Sequence, residues 1–362
     1  IIIHVNEGTD GTLDYLKNSN IEYTFTSYNA GICEGINKAS KLAKHEFFLY
    51  AHDDFYFCPE WDDILKFYKG TELKSHFQKG GGFVASKVST ATSIIQDMGK
   101  EECTKFLSFP ADIMATGTRG ILKDFVANGN IDVVVTTCGT LDHDIARVLA
   151  DYYHGDFAMD DQKLRDEGIN RLGNVLVPDD SYGIPIEKWL QPIISELYSK
   201  NSRWAPWKIW HEIGLRLAEE DKGKDSFLAV CAKKNIKVFV PGPTDGAVGS
   251  QLWLFWQTHK DFTLDIFEEE HELSDIVHEA KSTGAIMIGG GISKHHTIWW
   301  NQFREGLDFA VQVTTAPEWD GSLSGARVRE AVSWGKVTPK ARRITVEGDA
   351  TVLLPLILGP LL

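Results

Sequence analysis

From about residue 100 onward, one three-part pattern recurs along the chain: an apolar run, a turn rich in Gly, Thr or Asp, and an amphipathic stretch at helical spacing. The runs are "KFLSF" (105–109), "IDVVVTT" (131–137), "IKVFV" (236–240), "AIMIGGG" (285–291), "FAVQVTT" (309–315) and "RITVEGD" (343–349). Runs that are apolar throughout, instead of alternating, belong to strands buried on both faces. Their alternation with helices predicts a mostly parallel sheet with helices on either side. The expected class is α/β, a doubly wound, Rossmann-like sheet. Each small polar turn follows a strand C-terminus, where open parallel sheets bind their ligands. One extended site is therefore predicted along that edge.

The start of the chain has a different character. "IIIHV" reads as a strand, "TDGTLDYLKNS" as a turn and helix, "CEGINKASKLAKH" as a helix and "FFLYAHDD" as a strand ending in acids, which together make an N-terminal α/β fragment. A polar helical stretch then leads to "GGGF" at 80–83, a joint between two parts. The expected domains are residues 1–70 and 71–362, which suits a chain of 362 residues. Without a starting Met or a charged leader, the first residues read as a strand and the chain as a fragment at that end.

The formal net charge of -14 disfavours nucleic acid as a partner and suits a cationic ligand or basic partner, although solubility alone also accounts for it. No stretch approaches the roughly 18 apolar residues of a membrane span. The apolar tail is interrupted by Pro355 and Pro360 and reads as a buried terminal segment. The cysteines at 33, 58, 103, 138 and 231 are scattered, with no CxxC, so neither a disulfide framework nor a zinc site is expected and a reducing cytoplasm is the simplest location.

Several segments carry candidate chemistry. In "MIGGGISKHH" three glycines follow a strand, an arrangement that serves either a tight structural turn or a phosphate at a helix N-terminus. "VVTTCGTLDHD" and "FLSFPADIMATGTRG" place similar turns at equivalent strand ends, which favours a nucleotide. His295 and His296 are adjacent and point in different directions, so at most one of them is expected to reach a site, where it could serve as a proton shuttle; a capping or packing role for the pair is the alternative. "APEWDGSLSGARVREAVSWGK" gathers Asp320, Glu330, Trp334 and Lys336. Carboxylates and an indole face hold an organic ammonium, and a lysine amine beside them is a nucleophile toward imines. The plain alternative is a Trp covered by a surface lysine.

That last segment resembles the active-site region of deoxyhypusine synthases, and "GGFVASKVSTA", "DVVVTTCGTLDHD", "LRDEGINRLGNVLVP", "PTDGAVG", "IMIGGGISKHH" and "VEGDATVLLPL" match the same family in the same order over about residues 72–362. The resemblance implies an NAD-binding fold and NAD-dependent transfer of the 4-aminobutyl group of spermidine to one lysine of the precursor of the hypusine-containing translation factor. It implies Lys336 as the imine-forming lysine and His295 as the proton-transfer group. Substrate contacts would come from Glu330, Trp334, Asp320, Gly321, Asp142 and His143. NAD would be held by Ala111, Asp112, Thr137, Cys138, Gly139, Asp245, Gly290, Thr315, Ala316 and Asp349. A cytoplasmic homotetramer with active sites at dimer interfaces is implied as well, so Lys336 need not meet its own chain's NAD turns.

Some positions depart from the family pattern. Ser250 and Leu323 stand where animal relatives carry acids, Trp299 where they carry an asparagine, and His143 where they carry a glutamate. A different polyamine donor, or a small-amine acceptor as in homospermidine synthases, is the alternative. Residues 1–66 resemble part of a family 2 glycosyltransferase GT-A domain, in which Asp53 and Asp54 of "HDDF" would bind a divalent metal; the deoxyhypusine synthase resemblance itself implies no metal.

Overall fold

Near the start of the chain, strand β1 (Ile2–Asn6), helix α1 (Thr12–Lys17) and strand β2 (Glu22–Thr26) form a βαβ arrangement, with the strands parallel from the Ile2–Glu22 pair to Asn6–Thr26. Val5 and Leu16 are buried there. The computed structural model describes residues 2–6, 9, 11–28, 42, 77–79 and 82–362. The helix and acidic strand expected over 33–54, with Asp53 and Asp54, lie outside the described residues. The chain divides into two units, 1–65 and 66–362.

In the second unit the elements run as helix α2 (Phe83–Met98), strand β3 (Cys103–Ser108), helix α3 (Thr118–Ala127), strand β4 (Val133–Val135) and helix α4 (Cys138–Leu149). Short strands β5 (Tyr153–His154), β6 (Ile169–Leu172) and β7 (Val175–Pro178) make a separate antiparallel sheet. Then follow helix α5 (Gly183–Lys200), strand β8 (Arg203–Trp204), helix α6 (Pro206–Leu217), helix α7 (Phe227–Lys233), strand β9 (Lys237–Phe239) and helix α8 (Ala247–Trp256). Strand β10 (Thr263–Leu264), helix α9 (Ile266–Glu279), strand β11 (Ser282–Ile288), helix α10 (Gly291–Asn301), strand β12 (Leu307–Thr314), strand β13 (Val337–Glu347) and helix α11 (Ala350–Leu358) complete it.

Six strands form one all-parallel sheet in the order β13-β12-β11-β3-β4-β9. Counted along the chain this is the 3-2-1-4-5-6 order of a doubly wound dinucleotide fold, and the strand order reverses between β3 and β11. Every apolar run singled out above contributes to this sheet. Successive residues serve opposite faces, as the pleat requires: Leu107, Val134, Ile286 and Ile288 enter one core, while Phe106, Val133, Val135, Ala285 and Met287 enter the other. Leu273, Val277 and Ile298, from α9 and α10, close the second face.

Where α9 meets α6, one carboxylate is buried. Glu269 Oε2 accepts from the Trp207 N–H (2.6 Å), satisfying an otherwise orphaned donor in the first turn of α6. Burial pushes its pKa up to about 8 against the opposing effect of that hydrogen bond. Because the folded-state value lies above the ordinary 4.5, the stability tied to the protonated form is present below about 4.5 and lost as pH rises through about 8. Glu269→Gln should therefore raise the melting temperature at pH 9, by at least about 2 °C, and leave it unchanged at pH 4.5. Melting curves at the two pH values check this, and equal effects at both would show that ionisation of Glu269 carries no cost.

Candidate active site

All ten residues expected to hold NAD lie at or just beyond the C-terminal ends of the six parallel strands. Ala111 and Asp112 follow β3, Thr137, Cys138 and Gly139 follow β4, Asp245 follows β9, Gly290 follows β11, Thr315 and Ala316 follow β12, and Asp349 follows β13. The turns also meet one another. A Cβ added to Gly139 would lie 2.8 Å from the Ala111 Cβ, so only glycine lets these two turns approach. The Cys138 thiol points at the Pro243 carbonyl (3.3 Å), tying the β4 turn to the β9 turn. Asp349 caps α11, accepting from the Thr351 N–H (2.7 Å). Two buried hydroxyls at the ends of β3 and β4, Ser108 Oγ and Thr137 Oγ1, have no partner among the described residues. Buried polar atoms are seldom left unmet. Hydroxyls at the switch point, with the exposed carboxylates of Asp112 and Asp245 nearby in the turns, fit the polar edges of a dinucleotide.

Lys336 lies at the other end of the sheet. It immediately precedes β13, and its carbonyl accepts from the Leu307 N–H (3.1 Å) at the start of β12. Pairing continues from Leu307–Val337 to Thr314–Glu347, seven residues further, a rise of roughly 23 Å. Gly335 (φ +68) turns the chain into this position. Gly306 (φ +102) permits it, because a Cβ there would meet the Lys336 carbonyl carbon at 2.9 Å.

The Lys336 ammonium sits 5.5 Å from the ring of Trp299 and 5.5 Å from that of Trp334. Two indole faces thus hold one cation while keeping most of the residue from water. His295 stacks on Trp299 one helical turn along α10, with ring centres 5.7 Å apart. Its pKa is lowered by burial first and then by the Lys336 and His296 charges, which disfavour the protonated ring. Glu330 is exposed, and its charge acts on the buried Lys294. The histidines take different partners, as expected: His296 Nε2 lies 3.2 Å from Glu270. Yet both border one cavity of about 480 Å3.

The remaining expected substrate residues are placed differently. Asp142 is 1% exposed, and its carboxylate accepts from the Ala247 and Val248 N–H groups (both 2.8 Å) and the Tyr182 hydroxyl (2.9 Å). It anchors the start of α8 to α4, with one donor on Oδ1 and two on Oδ2. His143 is likewise occupied, with Nδ1 2.8 Å from the Tyr152 hydroxyl, and burial lowers its pKa to about 4. Asp320 accepts from the Ser322 N–H (2.7 Å) and shapes the turn in which Gly321 takes φ +74.

Two residues carry weight that the sequence did not reveal. Lys294 is buried and donates to the Leu323 and Ala326 carbonyls (2.7 and 2.5 Å), fastening the 320–330 segment across α10. Burial lowers its pKa to about 8, opposed by Glu330. Glu270 accepts on Oε2 from the Trp300 indole (2.6 Å) and from His296. Burial raises its pKa, but those two donors outweigh it, and the carboxyl stays below its usual range.

Lys294→Met should free the 320–330 segment without disturbing the sheet. Hydrogen exchange should become at least about tenfold faster at amides 322–330 and stay unchanged in β3 and β4. Unchanged protection at 322–330 would remove Lys294 as their anchor.

Comparison with known proteins bears on this arrangement. The deoxyhypusine synthase family model matches residues 72–360. A protein of Thermoplasma acidophilum named "Probable deoxyhypusine synthase" is 56% identical over 291 residues, which are 80% of this chain and 93% of that protein. One of Picrophilus torridus with the same name is 54% identical over 292 residues, 81% and 93% of the two chains. A crystal structure from Entamoeba histolytica, whose deoxyhypusine synthase name is itself provisional, superposes with a TM-score of 0.55 at 21% identity, covering 82% of this chain and 94% of that one. That last likeness concerns the fold alone.

Proposed function

The chain belongs to the deoxyhypusine synthase family and is an enzyme, and from that membership we propose how its residues divide the work of transferring the aminobutyl group of spermidine to a lysine of the translation-factor precursor. The observation that supports the assignment is the Lys336 ammonium held between Trp299 and Trp334, with His295 stacked on Trp299 alongside.

NAD would be held in the turns at the strand C-termini, where it supplies hydride transfer at the carbon beside the secondary amine of spermidine. Around the reacting carbon the chain's own residues do the rest. The exposed Glu330 carboxylate and the Trp334 face hold substrate ammonium. His295 takes the proton released as the amine is oxidised. The Lys336 amine attacks the oxidised carbon; the bond from that carbon to the departing nitrogen breaks, and 1,3-diaminopropane leaves with a proton, so the butylamine unit remains on Lys336 as an imine. The acceptor lysine then displaces Lys336 in the same manner, and return to its imine carbon of the hydride taken from spermidine would leave the 4-aminobutyl group on a secondary amine, with the dinucleotide oxidised again.

Within one chain, Gly290 and Trp299 are separated by roughly 13 Å along α10. The amine of Lys336 lies at the Trp299 end and the dinucleotide turns at the other. We therefore also propose that a second copy supplies the dinucleotide to each lysine, in a homotetramer whose active sites lie at dimer interfaces.

Lys336→Arg should retain the fold and NAD affinity and lose transfer of label from spermidine to the precursor, since a guanidinium forms no imine at working pH. Normal turnover in that variant would remove Lys336 from the reaction. Glu330→Gln should raise the KM for spermidine about tenfold, the scale of one charge-assisted hydrogen bond, with NAD affinity unchanged. Equal loss of both would contradict its assignment.

A further inference from the structure

Of the carboxylates expected to face an amine, Asp142 is buried with three donors, Asp320 is exposed with Oδ1 engaged in its own turn, and Glu330 is exposed. A polyamine carries at least two ammonium groups. The cavity of about 480 Å3 on the outer side of α10 is lined by Phe267, Glu270, His295, His296, Trp299 and Trp300. It shares Trp299 and His295 with the Lys336 cluster, so the two sites adjoin.

We propose that this cavity is an ammonium subsite holding the end of the polyamine donor that lies away from Lys336; the inference rests on the aminobutyl-transfer reading above. Its chemistry is that of an aromatic cage with one anionic wall. Glu270 Oε2 is fixed by the Trp300 indole and by His296, while Oε1 has no partner among the described residues and stays available to a donor. Trp299, Trp300 and Phe267 present ring faces or edges to the same space, and cations gain from such faces as water is excluded. Phe267 is 86% exposed, an unusual position for an aromatic ring unless something packs on it. The free oxygen, the rings and a site that already handles an alkyl amine all favour a primary alkylammonium. Such a group could come from the donor or from the acceptor's lysine side chain, and the donor is favoured because it carries more than one ammonium and the cavity adjoins the Lys336 cluster through Trp299 and His295.

The test uses the full chain, Glu270→Gln, and Glu279→Gln as a control for loss of a surface charge outside the site. Calorimetric titration with spermidine and with 1,8-diaminooctane should show binding weakened about tenfold in Glu270→Gln and unchanged in Glu279→Gln. In turnover, the KM for spermidine should rise by the same factor and the KM for the precursor protein should hold. A rise in the precursor's KM alone would assign the cavity to the acceptor lysine and overturn the donor proposal, as would unchanged binding of both amines. If the parent binds both amines through Glu270 but transfers no aminobutyl group, the reaction assigned above fails while the subsite stands.

Discussion

A parallel sheet has a polarity that its side chains cannot undo. All six strands end on one edge, so the turns suited to a dinucleotide converge there, around the reversal between β3 and β11. Lys336 enters from the opposite edge because it precedes β13 instead of following it. Helix α10 links the two edges: Gly290 at its start belongs to the dinucleotide turns, and Trp299 near its end touches the lysine. The proposed sharing of each site between two copies rests on that separation.

The lysine end is built from aromatic surface and a few specific anchors. Gly306 and Gly335 place the backbone of Lys336, and the two indoles hold its charge while limiting water. Lys294, a residue away from His295, fastens the segment that carries Glu330. Lys294 therefore acts through structure, while the proposed chemistry belongs to Lys336. The distinction lies in their partners: Lys294 is fully engaged with carbonyl oxygens, whereas Lys336 has ring faces.

The sheet was legible because strands covered on both faces must be apolar throughout, and each of its six strands carries such a run. The start of β13 was not, because its exposed positions, Pro339, Lys340 and Arg342, give no apolar signal. The small strands β5 to β7 and β8 with β10 are two to four residues long, too short for any period to register. The motif around Lys336 and the dinucleotide turns could be read from resemblance. What could not be read were the partners of each charged group. Asp142 looks like a site acid until Ala247 and Val248, a hundred residues on, take its oxygens. Lys294 in "SKHH" looks like a surface lysine, and Glu270 like any acid in "FEEEHEL". Such roles are set by tertiary contacts alone.

The central claim is that Lys336 carries the aminobutyl group. The direct measurement is to incubate the purified chain with NAD and spermidine, reduce with borohydride, and locate added mass by peptide mass spectrometry. A butylamine adduct on the peptide containing Lys336, dependent on NAD, is the expected result. An adduct on another lysine, or none while NAD and spermidine are both bound, would contradict the account.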